Sequence, residues 1–134
     1  MAIKAIDHVN IRTAKLAESI AFYRDALGMD VQPGPGEKDM DRFAWVYAGD
    51  GRPVVHLNIA DDSSDFLGEG RDWEGVSGSA RVHHVAFDCD EYDAFRARLE
   101  ASSFALRFNE VAAIDLRQIF VYDPNDILVE LNFR

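Results

Sequence analysis

The sequence predicts an α+β fold of two tandem βαβββ modules within a single domain, residues 1–134. Two observations predict it. A short strand motif occurs twice, as Ile6-Asp7-His8-Val9-Asn10-Ile11 and as Val82-His83-His84-Val85-Ala86-Phe87, and each copy runs into a segment with apolar residues at helical spacing. The offset also holds along the chain: His8 and His84 stand 76 residues apart, and His56 and Glu130 stand 74 apart. Module 1 spans about 1–60, a connection about 61–80, and module 2 about 81–134. A chain of 134 residues buries enough surface to form a core without disulfide or metal staples.

In module 1, residues 6–11 alternate in polarity and read as a half-buried strand. Leu16, Ile20, Tyr23 and Leu27 then fall at helical spacing, with Thr13 as the N-cap and Gly28 as the stop. Phe43–Ala48 reads as a strand, Gly49-Asp50-Gly51-Arg52-Pro53 as a turn, and Val55-His56-Leu57-Asn58-Ile59 as the closing strand. Module 2 repeats the order. Residues 82–87 are its first strand, and Tyr92, Phe95 and Leu99 mark its helix, with Asp88 or Asp90 as the cap. Ile119–Tyr122, the turn Asp123-Pro124-Asn125-Asp126 and Val129–Phe133 complete it. The connection Asp61–Ala80 is rich in Asp, Ser and Gly but carries Phe66, Leu67 and Trp73; it reads as a pinned linker ahead of a lid over a pocket.

Composition narrows the function. At 48% hydrophobic and 28% charged, the chain is neither disordered nor fibrous. With 24 acidic against 14 basic residues, the net charge of −10 argues against nucleic-acid and membrane-surface roles. Cys89 is the lone cysteine, so a disulfide framework and a thiolate metal cluster are both excluded, and a cytoplasmic setting is expected. No apolar leader opens the sequence and no apolar run is long enough to span a bilayer.

Strand parity sorts the polar residues. Val9 and Ile11 face one way, with His8, Asn10 and Arg12 on the other; Leu57 and Ile59 oppose His56 and Asn58. Val85 and Phe87 oppose His84, Ala86 and Asp88, while Val129, Leu131 and Phe133 oppose Glu130 and Asn132. The apolar faces meet the two helices, and the polar faces line a concave surface. If the modules pair edge to edge, His8, His56, His84 and Glu130 converge. Three imidazoles and a carboxylate suit a divalent ion such as Zn²⁺, Fe²⁺, Mn²⁺ or Ni²⁺. His83 has the opposite parity to His84 and reads as non-ligating. The competing reading is that the histidines merely pack within the strands.

Ile6-Asp7-His8-Val9, Phe22-Tyr23-Arg24-Asp25-Ala26-Leu27-Gly28-Met29, His84-Val85-Ala86-Phe87 and Asp123-Pro124 leading to Val129-Glu130-Leu131 resemble the vicinal oxygen chelate superfamily of glyoxalase, bleomycin-resistance and extradiol dioxygenase proteins. The resemblance implies an eight-stranded, incompletely closed, barrel-like cup with the helices outside, around a metal that chelates two neighbouring substrate oxygens. It maps the metal onto His8, His84 and Glu130, with His56 as a fourth ligand or as the catalytic acid–base group. Glyoxalase I and related epimerases usually carry Glu or Gln at the His56 place. A set of two histidines and one carboxylate is similar to that of extradiol dioxygenases, and the expected reaction leans to ring cleavage ahead of glyoxalase-type lyase, isomerase or epimerase chemistry.

Two departures stand out: Phe120 replaces the tyrosine of the dioxygenases, with Tyr122 two residues on, and Asp126 sits where the turn usually has glycine. Asp tolerates a positive φ there better than most residues. Arg12 reads as a surface cation at a strand end ahead of a substrate contact; Tyr122 and Asn132 are either donors beside the site or ordinary strand-face residues. The expected partners are a small-molecule substrate and a second copy of the chain. The rival class is a metal-free, bleomycin-resistance-like binding protein, with Phe43, Trp45, Tyr47, Trp73 and Phe120 around its ligand.

Overall fold

The computed structural model describes residues 4–60, 77–79 and 82–134, which fall in two units, Met1–Val76 and Ser77–Arg134. Among the described residues each unit carries one four-stranded sheet and one α-helix, so the fold is α+β.

The first unit contains β1 (Val9–Thr13), α1 (Leu16–Ala21), β2 (Asp30–Gln32), β3 (Phe43–Tyr47) and β4 (Pro53–Ile59). Its sheet order is β1-β4-β3-β2, with β1 parallel to β4 and the other pairs antiparallel. A parallel pair cannot be closed by a tight turn, and here the helix and the β2–β3 pair fill the crossover. Alternation places Ile11, Ala44, Val46, Val55 and Leu57 in the core, together with Leu16, Ile20, Phe22 and Tyr23.

The predicted helix over Leu16–Leu27 is not uniform. From Phe22 to Ala26 it widens into a π turn, in which Leu27 N–H donates to the Phe22 carbonyl at 3.0 Å. The wide turn accommodates two consecutive buried rings, Phe22 and Tyr23, edge to face at 5.0 Å. Gly28 follows in the left-handed region at φ 69° and ends it. Thr13 is not the N-cap: that place belongs to Lys15, whose N–H donates to the Thr13 hydroxyl at 2.8 Å.

The second unit repeats the plan with β5 (Val85–Cys89), α2 (Tyr92–Glu100), β6 (Leu106–Val111), β7 (Leu116–Tyr122) and β8 (Leu128–Phe133), in the order β5-β8-β7-β6. Phe133 receives the Tyr92 and Phe95 rings edge-on, at 5.2 and 5.5 Å, and Leu99 is fully buried. Neither Asp88 nor Asp90 caps α2. The N-cap is Glu91, at φ 63° with no side-chain capping bond, while Asp88 lies within β5 and pairs with Arg134 at 3.1 Å. The second strands β2 and β6 have no clear polarity signal: one is three residues long and the other is almost wholly exposed.

The repeat holds at the level of single residues. Val9 pairs with Val55 and Val85 with Val129; Trp45 lies opposite His56 and Phe120 opposite Glu130. In the last turn Asp126 does adopt a positive φ of 60°. The buried Asp123 carboxylate accepts the N–H groups of Asn125 at 2.8 Å and Ile127 at 2.9 Å, and Ser77 hydrogen-bonds Asp126. The connection, including Trp73 and the lid reading, lies outside the described residues except for Ser77–Ser79.

Urea denaturation tests both points. Leu131→Ala, at a site 1% exposed, is expected to cost about 2–5 kcal/mol. Asp126→Val is expected to cost about 1–2 kcal/mol through its left-handed backbone, while Asp126→Gly stays within about 1 kcal/mol of wild type.

Candidate functional site

Both modules expose a polar sheet face opposite the helix, and chemistry concentrates there. In the second unit Glu130 is only 8% exposed, and a buried carboxylate requires partners. Gln118 Nε2 donates to Glu130 Oε1 at 2.6 Å and to Asn132 Oδ1 at 3.0 Å, while Asn109 Nδ2 donates to Gln118 Oε1 at 2.8 Å. The other carboxylate oxygen, Oε2, lies 3.0 Å from His84 Nε2. This is an ordinary imidazole–carboxylate hydrogen-bond distance, and it is also the roughly 3.0 Å that separates two ligands held about 2.1 Å from one octahedral ion at right angles.

His83 approaches His84, with the two Nδ1 atoms 3.0 Å apart and the rings edge to face. Strand parity does not reach it, because β5 begins at Val85; His83 lines a cavity on the same sheet as Phe120 and Tyr122.

In the first unit His8 and His56 stack at 3.8 Å with planes 15° apart, and Trp45 covers the other face of His56 at 4.2 Å and 6°. The Asp7 carboxylate accepts from His8 Nδ1 at 2.6 Å, a bond that lowers the Asp7 pKa and leaves His8 Nε2 for another partner. His56 bonds the Pro53 carbonyl, and its Nε2 is buried with no hydrogen-bond partner among the described residues. The bond therefore uses Nδ1–H and leaves Nε2 as a bare lone pair. Burial first, and the neighbouring His8 charge second, hold the His56 pKa below its usual value.

Of the predicted site residues, the structure thus brings His84 to Glu130 and His8 to His56, each within its own unit. Among the described residues no three His, Cys, Asp or Glu side chains form a metal-holding group. The donor types, imidazole and carboxylate, are nonetheless those a divalent ion takes, and within each unit they are oriented by a neighbour: His8 by Asp7, His56 by the Pro53 carbonyl and Glu130 by Gln118. Asn132 is part of the Glu130 network, and Asn58 Nδ2 donates to Asn10 Oδ1 at 3.0 Å. Tyr122 is 55% exposed and shares the sheet face of Phe120. The sequence reading missed Asp7 and Gln118. Gln118 was findable, because its parity matches Phe120 and its β7 position faces Asn132.

The model of the Glyoxalase/Bleomycin resistance protein/Dioxygenase superfamily matches residues 5–131. The chain belongs to that superfamily. Among solved structures, this superfamily member is similar to a putative glyoxalase family protein from Bacillus anthracis, at 22% identity, with 100% of this chain and 98% of that one covered and a TM-score of 0.72. It is also similar to a lactoylglutathione lyase from Agrobacterium tumefaciens (20% identity, 99% and 96% covered, TM-score 0.65). A third is an antibiotic binding protein from a Streptomyces species (20% identity, 99% and 98% covered, TM-score 0.62). At these identities the likeness shows the fold. A search of curated proteins finds no match to the sequence. No described helix is long and apolar enough to cross a membrane.

The one cysteine, Cys89, keeps its thiol protonated at neutral pH. Burial pushes its thiol from 9.0 up to about 11. A raised thiol pKa means the fold disfavours the thiolate, so this contribution to stability is present below pH 9 and is lost as pH rises toward about 11. Iodoacetamide alkylation of the native protein is therefore expected to stay slower than that of the urea-unfolded chain at pH 8–9, and to accelerate only as pH approaches about 11.

Proposed function

We propose that this superfamily member is a metal-dependent enzyme acting on a small molecule with two adjacent oxygens. In this reading His8, His84 and Glu130 are the ligands and His56 is the acid–base group. The observation that carries it is the His84 Nε2–Glu130 Oε2 contact of 3.0 Å, with the second carboxylate oxygen tied to Gln118. A bound divalent ion supplies Lewis acidity, offsetting negative charge as it develops on substrate oxygens.

The protein's own groups do the rest. Gln118 holds Glu130 so that one oxygen is presented, and Asp7 holds the His8 ring in the tautomer that presents Nε2. Stacked imidazoles send their in-plane lone pairs side by side rather than to one point, which supports a different role for His56. With Nδ1–H committed to Pro53, its Nε2 takes a proton from a bound substrate and returns it. The half-buried free thiol of Cys89 supports a cytoplasmic setting, and the edge strands of each sheet support a homodimer.

Two reactions fit the donor set. The two-histidine, one-carboxylate set supports ring cleavage of a catechol at iron; the fold shared with a lactoylglutathione lyase supports lyase or isomerase chemistry. One observation favours the metal-free binding alternative: Trp45, His56 and His8 form a stacked aromatic surface, and a structural relative binds an antibiotic.

Metal content by mass spectrometry on untagged protein purified anaerobically decides between them. Near-stoichiometric metal in the wild type, lost in His84→Ala and Glu130→Ala, is expected. Iron then directs the assay to oxygen uptake with catechols, and nickel or zinc to isomerisation of 2-oxo adducts. No metal, even after reconstitution with each ion, overturns the enzyme reading and leaves the binding protein.

A further inference from the structure

On the second sheet the register lines up Arg107, Phe120 and Glu130 in one row across β6, β7 and β8. Beside this row lies a cavity of about 500 Å³, lined in part by His83, Arg107, Asn109, Phe120, Tyr122 and Leu128. Its walls combine the rings of Phe120 and Tyr122 and two leucines, Leu106 and Leu128, with the polar His83, Asn109 and the Arg107 guanidinium.

That guanidinium is unusual in this chain. Arg24, Arg52, Arg96 and Arg134 each pair with a carboxylate, and Arg98 and Arg117 lie over the rings of Phe95 and Tyr92. Arg12 and Arg42 also have interactions. Among the described residues Arg107 is the one arginine with no hydrogen bond, ion pair or ring contact. The chain has 24 acidic against 14 basic residues, yet among the described residues no carboxylate pairs with Arg107. A planar cation beside aromatic and aliphatic walls matches a planar anion with an apolar body.

We propose that this cavity binds a flat, ring-bearing carboxylate, with Arg107 taking the carboxylate and Phe120 and Leu128 taking the ring. The row also sets the length of the ligand. The Arg107 and Glu130 backbones are two strand spacings apart, about 9–10 Å, and the register puts both side chains on one face of the sheet. A carboxylate on one ring, held at Arg107 and packed on Phe120, would therefore extend along the row toward Glu130, which lies beyond the cavity's own lining. Adjacent oxygens on the ring edge opposite the carboxylate would then meet the His84–Glu130 end, a step that rests on the metal-chelate reading above; the carboxylate site itself does not.

The test is calorimetric titration with benzoate and its neutral isostere benzamide, on wild type, Arg107→Gln and Arg107→Lys, with circular dichroism to establish that each variant is folded. Arg107 is exposed and its strand is at the sheet edge, so these variants keep the core. Wild type is expected to prefer benzoate by about tenfold or more, a preference falling below about twofold in Arg107→Gln and partly kept in Arg107→Lys. Equal binding of the two probes, no binding of either, or a preference that survives in folded Arg107→Gln overturns the proposal.

A second arm uses 3,4-dihydroxybenzoate with and without added Fe²⁺ or Ni²⁺. A metal-dependent gain over benzoate, lost in Glu130→Ala, supports the full length assignment. Absence of that gain with the benzoate preference intact removes the chelate reading and leaves the carboxylate site standing.

Discussion

A carboxylate buried on a sheet face must be answered by donors or by a cation, and in this protein that constraint organises the second module. Glu130 is answered by Gln118 from β7 and by His84 from the approach to β5. Gln118 is in turn held by Asn109 on β6 and Asn132 on β8. The network therefore draws on every strand of the sheet, or its approach. A slip of one residue between β7 and β8 would turn Gln118 toward the helix and leave Glu130 without its donor, so sheet register and site geometry are the same property.

The two modules share a register and divide the chemistry. The place held by Trp45 opposite His56 in one is held by Phe120 opposite Glu130 in the other. In the first, the face is aromatic, a stack of His8, His56 and Trp45 with one nitrogen lone pair bare. In the second it is a polar network ending in a carboxylate. A duplicated backbone thus carries a bare imidazole nitrogen in one copy and a hydrogen-bonded carboxylate in the other.

Most of the fold was legible because the repeat and the alternation are strong signals. Parity assigned His56, Asn58, Glu130 and Asn132 to the face opposite the helices, and the burial of Leu57, Leu131 and Phe133 agrees. What escaped has local causes. β2 is too short and β6 too exposed for alternation to mark them. The π turn depends on packing two adjacent rings, which a regular helical period does not encode. Alternation stops where the strand does, at Val85, so parity did not bring out the contact of His83 with His84. Asp7 and Gln118 act by holding another side chain, and a pattern that looks for donors passes over such residues. The superfamily was legible from scattered short motifs, whereas the reaction depends on what fills the site.

The central claim is that His84 and Glu130 hold one ion between them. The most direct measurement is anomalous diffraction at the metal absorption edge from a crystal of the metal-loaded protein. The account predicts a peak about 2.0–2.2 Å from both His84 Nε2 and Glu130 Oε2, with the Gln118 bond to the other oxygen retained. A peak elsewhere, or a fully loaded crystal in which His84 and Glu130 still bond each other directly, would contradict it.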